Sequence, residues 1–174
     1  MEKKGTLVFT VGHSTRMARD FLKLLDAYGI KEVIDVRTIP KSRKNPQFNE
    51  KRLAASLRRH GITYRHMGGL GGLRHALKDS INIYWHNASF RGFADYMQTV
   101  EFKDNVNALI RMAKKRRVTL MCAEAVPWRC HRSLIADALA IRGIEVVHIF
   151  GATNSRRHEL TKSAKVRKGN IIYK

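Results

Sequence analysis

The chain has 174 residues, 44% of them hydrophobic, and sets 34 Lys and Arg against 14 Asp and Glu for a formal net charge of +20. That length suits about one domain with a core of its own, the composition excludes wholesale disorder, and two cysteines are too few for a disulfide scaffold. No apolar run approaches the ~20 residues that span a bilayer, and Leu7–Val11 is too short for the apolar part of a signal peptide, so a soluble cytoplasmic protein with reduced thiols and no membrane contact is expected.

The first strand is read at Leu7–Val11, and Met17, Phe21, Leu24, Leu25 and Tyr28 follow at helical spacing. A strand at Glu32–Val36 comes next, then a short helix with Leu53 and Leu57 on its apolar face and Asn49 as N-cap. After a strand at Thr63–Met67, residues 73–100 hold Trp85, Phe90, Phe93 and Tyr96 with weak periodicity and are expected to form an insertion or lid. Phe102, Val106, Leu109, Ile110 and Ala113 mark a helix, Val118–Cys122 a strand, Leu134, Ile135, Ala138 and Leu139 a further helix, and Glu145–Phe150 a further strand. The tail, 151–174, is polar and basic, with a last strand at Ile171–Tyr173.

One junction recurs: Tyr28-Gly29-Ile30, His60-Gly61-Ile62 and Arg142-Gly143-Ile144 each join a helical pattern to a β-rich run. Glycine past a helix end takes the left-handed conformation and the next apolar residue packs back on the last turn. Strands apolar on both faces and alternating with helices predict one α/β domain over 1–174. Its sheet is expected to be mainly parallel, of about five strands, with helices on both faces in a Rossmann-like, three-layer arrangement.

Ligands of open parallel sheets bind beyond the carboxyl ends of the strands. Those ends carry Gly12-His13-Ser14, Asp35-Val36-Arg37, His66-Met67-Gly68-Gly69 and Cys122-Ala123-Glu124. The densest segment, Cys122 to Ser133, reads as strand, loop and helix start. Cys130 at the helix N-terminus, flanked by Arg129, His131 and Arg132, has the surroundings that stabilise a thiolate. Cys122 ends an apolar strand, where core packing and function weigh equally. Seven residues separate the two cysteines, against the two to four usual in zinc loops, so the spacing does not call for a metal, although a site of Cys122, Cys130, His131 and a distant histidine stays open; no cofactor is expected. The loop matches neither the phosphate-binding G-x-x-x-x-G-K-[ST] pattern nor the cysteine phosphatase spacing. Asp35 and Arg37 share a face of their strand, either as an ion pair or with Arg37 on an anion and Asp35 orienting it or His13. The segment Gly68-Gly69-Leu70-Gly71-Gly72 is either a close-approach loop for a ligand or a flexible turn.

The motifs Gly12-His13-Ser14, Asp35-Val36-Arg37 with Pro40 and Ser42, Leu70-Gly71-Gly72, Phe90-Arg91-Gly92-Phe93-Ala94-Asp95-Tyr96-Met97 and Cys122-x-Glu124-x-x-Pro127-x-x-Cys130-His131-Arg132 resemble those of an uncharacterised bacterial and archaeal family, domain of unknown function 488. The resemblance runs from about residue 6 to residue 150 and implies a single α/β domain with a shared polar site, but no reaction.

These readings point to an enzyme with Cys130 as thiolate nucleophile or redox thiol and Glu124 or His13 as acid/base. Ser14, Asp35, Arg37, Cys122, His131 and Arg132 would bind or orient an anionic substrate, phosphorylated or part of a nucleic acid. The alternative is a non-catalytic module that binds nucleic acid or phosphate. Charge supports either: residues 41–75 hold nine Lys and Arg against Glu50, residues 151–174 hold seven against Glu159, and Arg111–Arg117 add five with no acid. Such blocks suit phosphate backbones, which need no sequence code. Mixed-sequence DNA and RNA are therefore expected to bind with an affinity that falls steeply with salt, read by fluorescence anisotropy at two ionic strengths; binding that is absent at low salt or indifferent to salt contradicts this.

Overall fold

A computed structural model describes residues 5–174. Five parallel strands, β1 (Leu7–Gly12), β2 (Glu32–Asp35), β3 (Thr63–His66), β4 (Val118–Cys122) and β5 (Glu145–Gly151), form most of one sheet, and β6 (Asn154–Arg157) joins it antiparallel to β5. The order is β3-β2-β4-β1-β5-β6. It departs from the 3-2-1-4-5 order of the doubly wound dinucleotide fold, because β4 inserts between β2 and β1. The helices are α1 (Ala18–Ala27), α2 (Glu50–Arg59), α3 (Ala88–Tyr96), α4 (Val100–Lys115) and α5 (Arg132–Ala140).

Alternation along each strand sends side chains to two separate cores. Val8, Ile34 and Leu120 pack with Phe102, Val106, Leu134 and Leu139 of α4 and α5. Phe9, Val33 and Met121 pack with Phe21, Leu25, Leu53 and Leu57 of α1 and α2. The sheet is thus covered on both faces, as its apolar strands require. The three helix ends behave as their sequences predict. Gly29, Gly61 and Gly143 have φ of 63°, 73° and 74°. The N–H of Ile30, Ile62 and Ile144 reaches back to the carbonyl of Leu25, Leu57 and Leu139 at 3.0, 2.9 and 3.1 Å.

Local detail overturns one expectation, at Asn49, and fills in two others, with the last strand found where it is expected. Asn49 stands at the start of α2 but does not cap it; its side chain accepts the N–H of Ser42 at 2.7 Å and ties down the loop after β2. Residues 73–100 hold α3, capped by Asn87, whose Phe93 and Ala94 are core. The basic tail is structured: beyond β6, β7 (Ala164–Arg167) and β8 (Asn170–Tyr173) form a hairpin that puts Ile171 and Tyr173 into the core. No helix among the described residues is long and apolar enough to cross a membrane.

Gly12 closes β1 directly under the loop that follows β4, where a Cβ would run into the backbone carbonyl of Glu124. Backbone on both sides cannot yield as a side chain can. Gly12→Ala is expected to lower stability by on the order of 3 kcal/mol, seen as a lower urea midpoint with an unchanged slope. Gly5→Ala, which meets nothing within 4 Å, should leave the midpoint where it is.

Candidate functional site

Because β4 runs between β2 and β1, the loops leaving all three strands continue side by side. The N–H of His13 donates to Cys122 O at 2.9 Å, that of Ser14 to Ala123 O at 2.9 Å, and that of Val36 to Met121 O at 3.0 Å. Above this edge lies a pocket of about 420 Å³, lined by Arg37, Cys122, Glu124, Arg129, Cys130 and His131 and walled by Leu73 and Phe90.

Cys130 follows a single 3-10 turn, Pro127–Arg129, and precedes α5 by one residue. Its Sγ accepts the backbone N–H and the Nε–H of Arg132, both at 3.5 Å. His131 Nδ1 lies 3.6 Å from the same sulfur. His131 Nε2 is 3.0 Å from Val36 O, which can only accept, so Nε2 carries its hydrogen and Nδ1 faces the thiol. A thiol, an imidazole nitrogen and the carbonyl that orients the imidazole stand in line. Gly72 packs so closely on the imidazole that a Cβ would come within 2.6 Å of Nδ1, so the glycine-rich segment seats His131.

The neighbouring thiol of Cys122, its sulfur within 4.8 Å of that of Cys130, sets the two apart. It holds Cys130 well below the usual thiol range against the opposing effect of burial, and His131 and Arg132 add to it. The same neighbour, with burial, pushes Cys122 well above that range. Cys130 is the more acidic thiol, as its neighbours in sequence predict. The chief cause is the second cysteine, which sequence alone leaves undecided.

Arg132 differs from its expected placement on a substrate anion. It is 1% exposed and lies beneath the cysteine, outside the pocket lining. Its remaining donors go to Thr10 Oγ1 at 3.4 Å and to Glu124 O. Among the described residues no carboxylate pairs with it. The hydrogen bonds then run on in one direction. Thr10 lies 2.7 Å from His148 Nδ1, His148 Nε2 lies 2.9 Å from His158 Nδ1, and His158 Nε2 lies 2.8 Å from Asp137 Oδ1, whose other oxygen accepts Tyr173 O–H at 2.7 Å. Each group donates to the next and the carboxylate only accepts. Burial is the main cause of a His148 pKa lowered to about 3, and the charge of Arg132 adds to it. The sequence reading passes over Thr10, Asp137, His148 and His158 as members of a site. For Thr10, Asp137 and His148 the one visible signal is a polar residue on an otherwise apolar strand or helix face, and His158, in the loop after β6, has none.

Asp35 is fully buried and grips Arg37 with both oxygens, at 2.9 Å to Nε and 2.6 Å to Nη2. Arg37 Nη1 points at His13 Nε2 at 3.4 Å, while His13 Nδ1 donates to Ser14 O at 2.8 Å. His13 stacks on Phe48 with centroids 4.2 Å apart. Burial is the main cause of its pKa falling to about 4, against the raising effect of the Ser14 bond. His13 and Ser14 open on an adjoining hollow of about 370 Å³ with Arg43 and Lys44, across the Ala123–Ala125 loop from the cysteines. Glu124 lines both spaces.

Cys122, Cys130 and His131 place three donor atoms within 4.8 Å of one another, the one such group among the described residues that can hold a metal ion. Spacing along the chain does not show this, because the loop folds back on itself. The set is one ligand short of a closed tetrahedral site, and Arg132 beside the sulfur opposes a dication.

Residues 17–139 match the family model described as domain of unknown function DUF488. The chain belongs to that family. The match contains β2, β4, both cysteines and Arg132, while Gly12-His13-Ser14 lies before it. No curated protein and no solved structure matches the chain.

His13 and His148 give the fold a pH limit. Both are neutral when folded, with pKa values of about 4 and about 3, against ~6.5 when unfolded. Below ~6.5 the unfolded chain binds more protons, so stability falls as pH drops from there toward the folded values. The loss should approach on the order of 3 kcal/mol at each site, measured by urea unfolding across that range. His148→Gln should flatten the decline; a stability that is level from neutral to about pH 4.5 would contradict the assignment.

Proposed function

We propose that this DUF488 protein is an enzyme in which the Cys130 thiolate attacks an anionic substrate, phosphorylated or part of a nucleic acid. One observation carries the reading: among the described residues, a buried guanidinium with no carboxylate partner has the Cys130 sulfur as the one ionisable group it hydrogen-bonds. A guanidinium keeps its charge in proteins, and a buried charge needs a counter-charge or a full set of hydrogen bonds. A thiolate at Cys130 supplies the counter-charge. His131 takes the thiol proton on Nδ1, and the N-terminus of α5 adds its N–H.

The substrate's anionic group is drawn by the cations that face the pocket, Arg37, Lys41 and Arg129. Asp35 and His13 hold Arg37 in place. The sulfur lone pair forms a bond to the electrophilic atom beside that group, and the leaving group departs with its bonding pair. It takes the proton that His131 drew from the thiol, and Glu124 at the pocket wall is the second acid/base group.

Rates of alkylation at each cysteine against pH, read by peptide mass spectrometry on the folded protein, test the assignment. Cys130 should react with an apparent pKa below the free-thiol value of ~8.5 and Cys122 slowly or not at all. Arg132→Met should move the Cys130 profile up by a unit or so, roughly tenfold in reactivity at neutral pH. Cys130 inert at neutral pH overturns the nucleophile and leaves a binding module; protection of both thiols until a chelator is added replaces it with a metal site. Mass spectrometry of molecules that copurify with the protein and with Cys130→Ser identifies the substrate class.

A further inference from the structure

The turn Pro127–Arg129 separates two pockets and contributes a side chain to each. Arg129 lines the cysteine pocket, while Trp128 lines a second pocket of about 250 Å³ on the other side. Successive residues of a 3-10 turn point about a third of a revolution apart, so one turn serves both spaces. Trp128 is 59% exposed and leans on Phe150, centroids 5.9 Å apart and planes at 44°. The other tryptophan shows the contrast: Trp85 stacks on Phe90 at 4.9 Å and packs on Tyr173. An indole left this open on a soluble surface is a contact waiting for a flat partner.

The second pocket also carries Arg156, Arg157 and Lys162 against Glu159. Arg157 is engaged with Glu145 at 2.6 Å, while Arg156 and Lys162 pair with no carboxylate among the described residues. An aromatic face beside uncommitted cations takes a base and the phosphate that goes with it.

We infer that the reactant is single-stranded nucleic acid, with the reacting nucleotide in the cysteine pocket and a neighbouring base stacked on Trp128, its phosphate held by Arg156 and Lys162. This rests on the reading of the cysteine pocket as the place of reaction and narrows its substrate. A free mononucleotide would leave the second pocket idle. A duplex keeps its bases stacked on each other and has no free face for the indole.

The test uses the whole protein with short single-stranded oligothymidylate and oligouridylate, the matching duplex, thymidine monophosphate and heparin. Single strands should quench tryptophan fluorescence and bind by anisotropy more tightly than duplex. Trp128→Ala should weaken single-strand binding roughly tenfold to a hundredfold with little change in salt dependence. Arg156→Ala with Lys162→Ala should lower the salt slope by about one to two. The oligothymidylate and oligouridylate arms separate DNA from RNA. Unchanged affinity in Trp128→Ala, or duplex and heparin binding as well as single strands, overturns the inference. The alkylation profile of Cys130 in the unaltered protein without nucleic acid reports separately on the nucleophile.

Discussion

Arg132 is a permanent cation set in the interior at the start of α5, and the arrangement around it follows from the need to satisfy it. Burying a guanidinium costs several kcal/mol unless its donors and its charge are met. Each of its three nitrogens has one acceptor: a sulfur, a threonine hydroxyl and a backbone carbonyl. No carboxylate among the described residues pairs with the charge, and the hydrogen bonds through Thr10, His148 and His158 lead to the more distant Asp137 carboxylate. A nearer carboxylate would neutralise Arg132 and leave Cys130 an ordinary thiol. Spacing the carboxylate away keeps the field at the sulfur positive.

The relay also explains why the C-terminal hairpin belongs to the domain. Tyr173 of β8 donates to Asp137 and packs in the same core as α5. His158, just after β6, closes the other side of that carboxylate. The segment that reads as a basic tail is thus the outer support of a chain of hydrogen bonds that ends at Arg132 and the Cys130 sulfur. The strand order does comparable work on the opposite side. With β4 between β2 and β1, the cysteine loop lies against both neighbours, and Val36 can orient His131 from across the sheet edge.

Much of this was legible in the sequence, for definable reasons. Helix ends carry a local code, so the three Gly-Ile junctions predict their own geometry. The rule that ligands gather beyond parallel strands places His13, Arg37, Cys122 and Glu124 at one edge without any knowledge of strand order. Direction is what local pattern does not carry. Arg129, His131 and Arg132 read alike as cations near a cysteine, yet the turn into α5 sends one to the pocket wall, one to the thiol and one beneath it. Thr10 and His148 stand 138 residues apart, and only the pairing of β1 with β5 makes them neighbours. The glycine-rich segment Gly68–Gly72 reads as free backbone because what crowds it, Thr38, Asn105 and His131, comes from elsewhere in the chain.

The cations on the outer strands have a meaning apart from any ligand. A strand at the rim of a sheet offers unpaired backbone groups to any passing chain. Here one rim is β6, with Arg156 and Arg157 exposed, and the other is β3, with Arg65 exposed. Two copies meeting rim to rim would bring arginine against arginine, and like charges directly opposite are unfavourable. The basic surface therefore guards both open ends of the sheet against growth into a fibre.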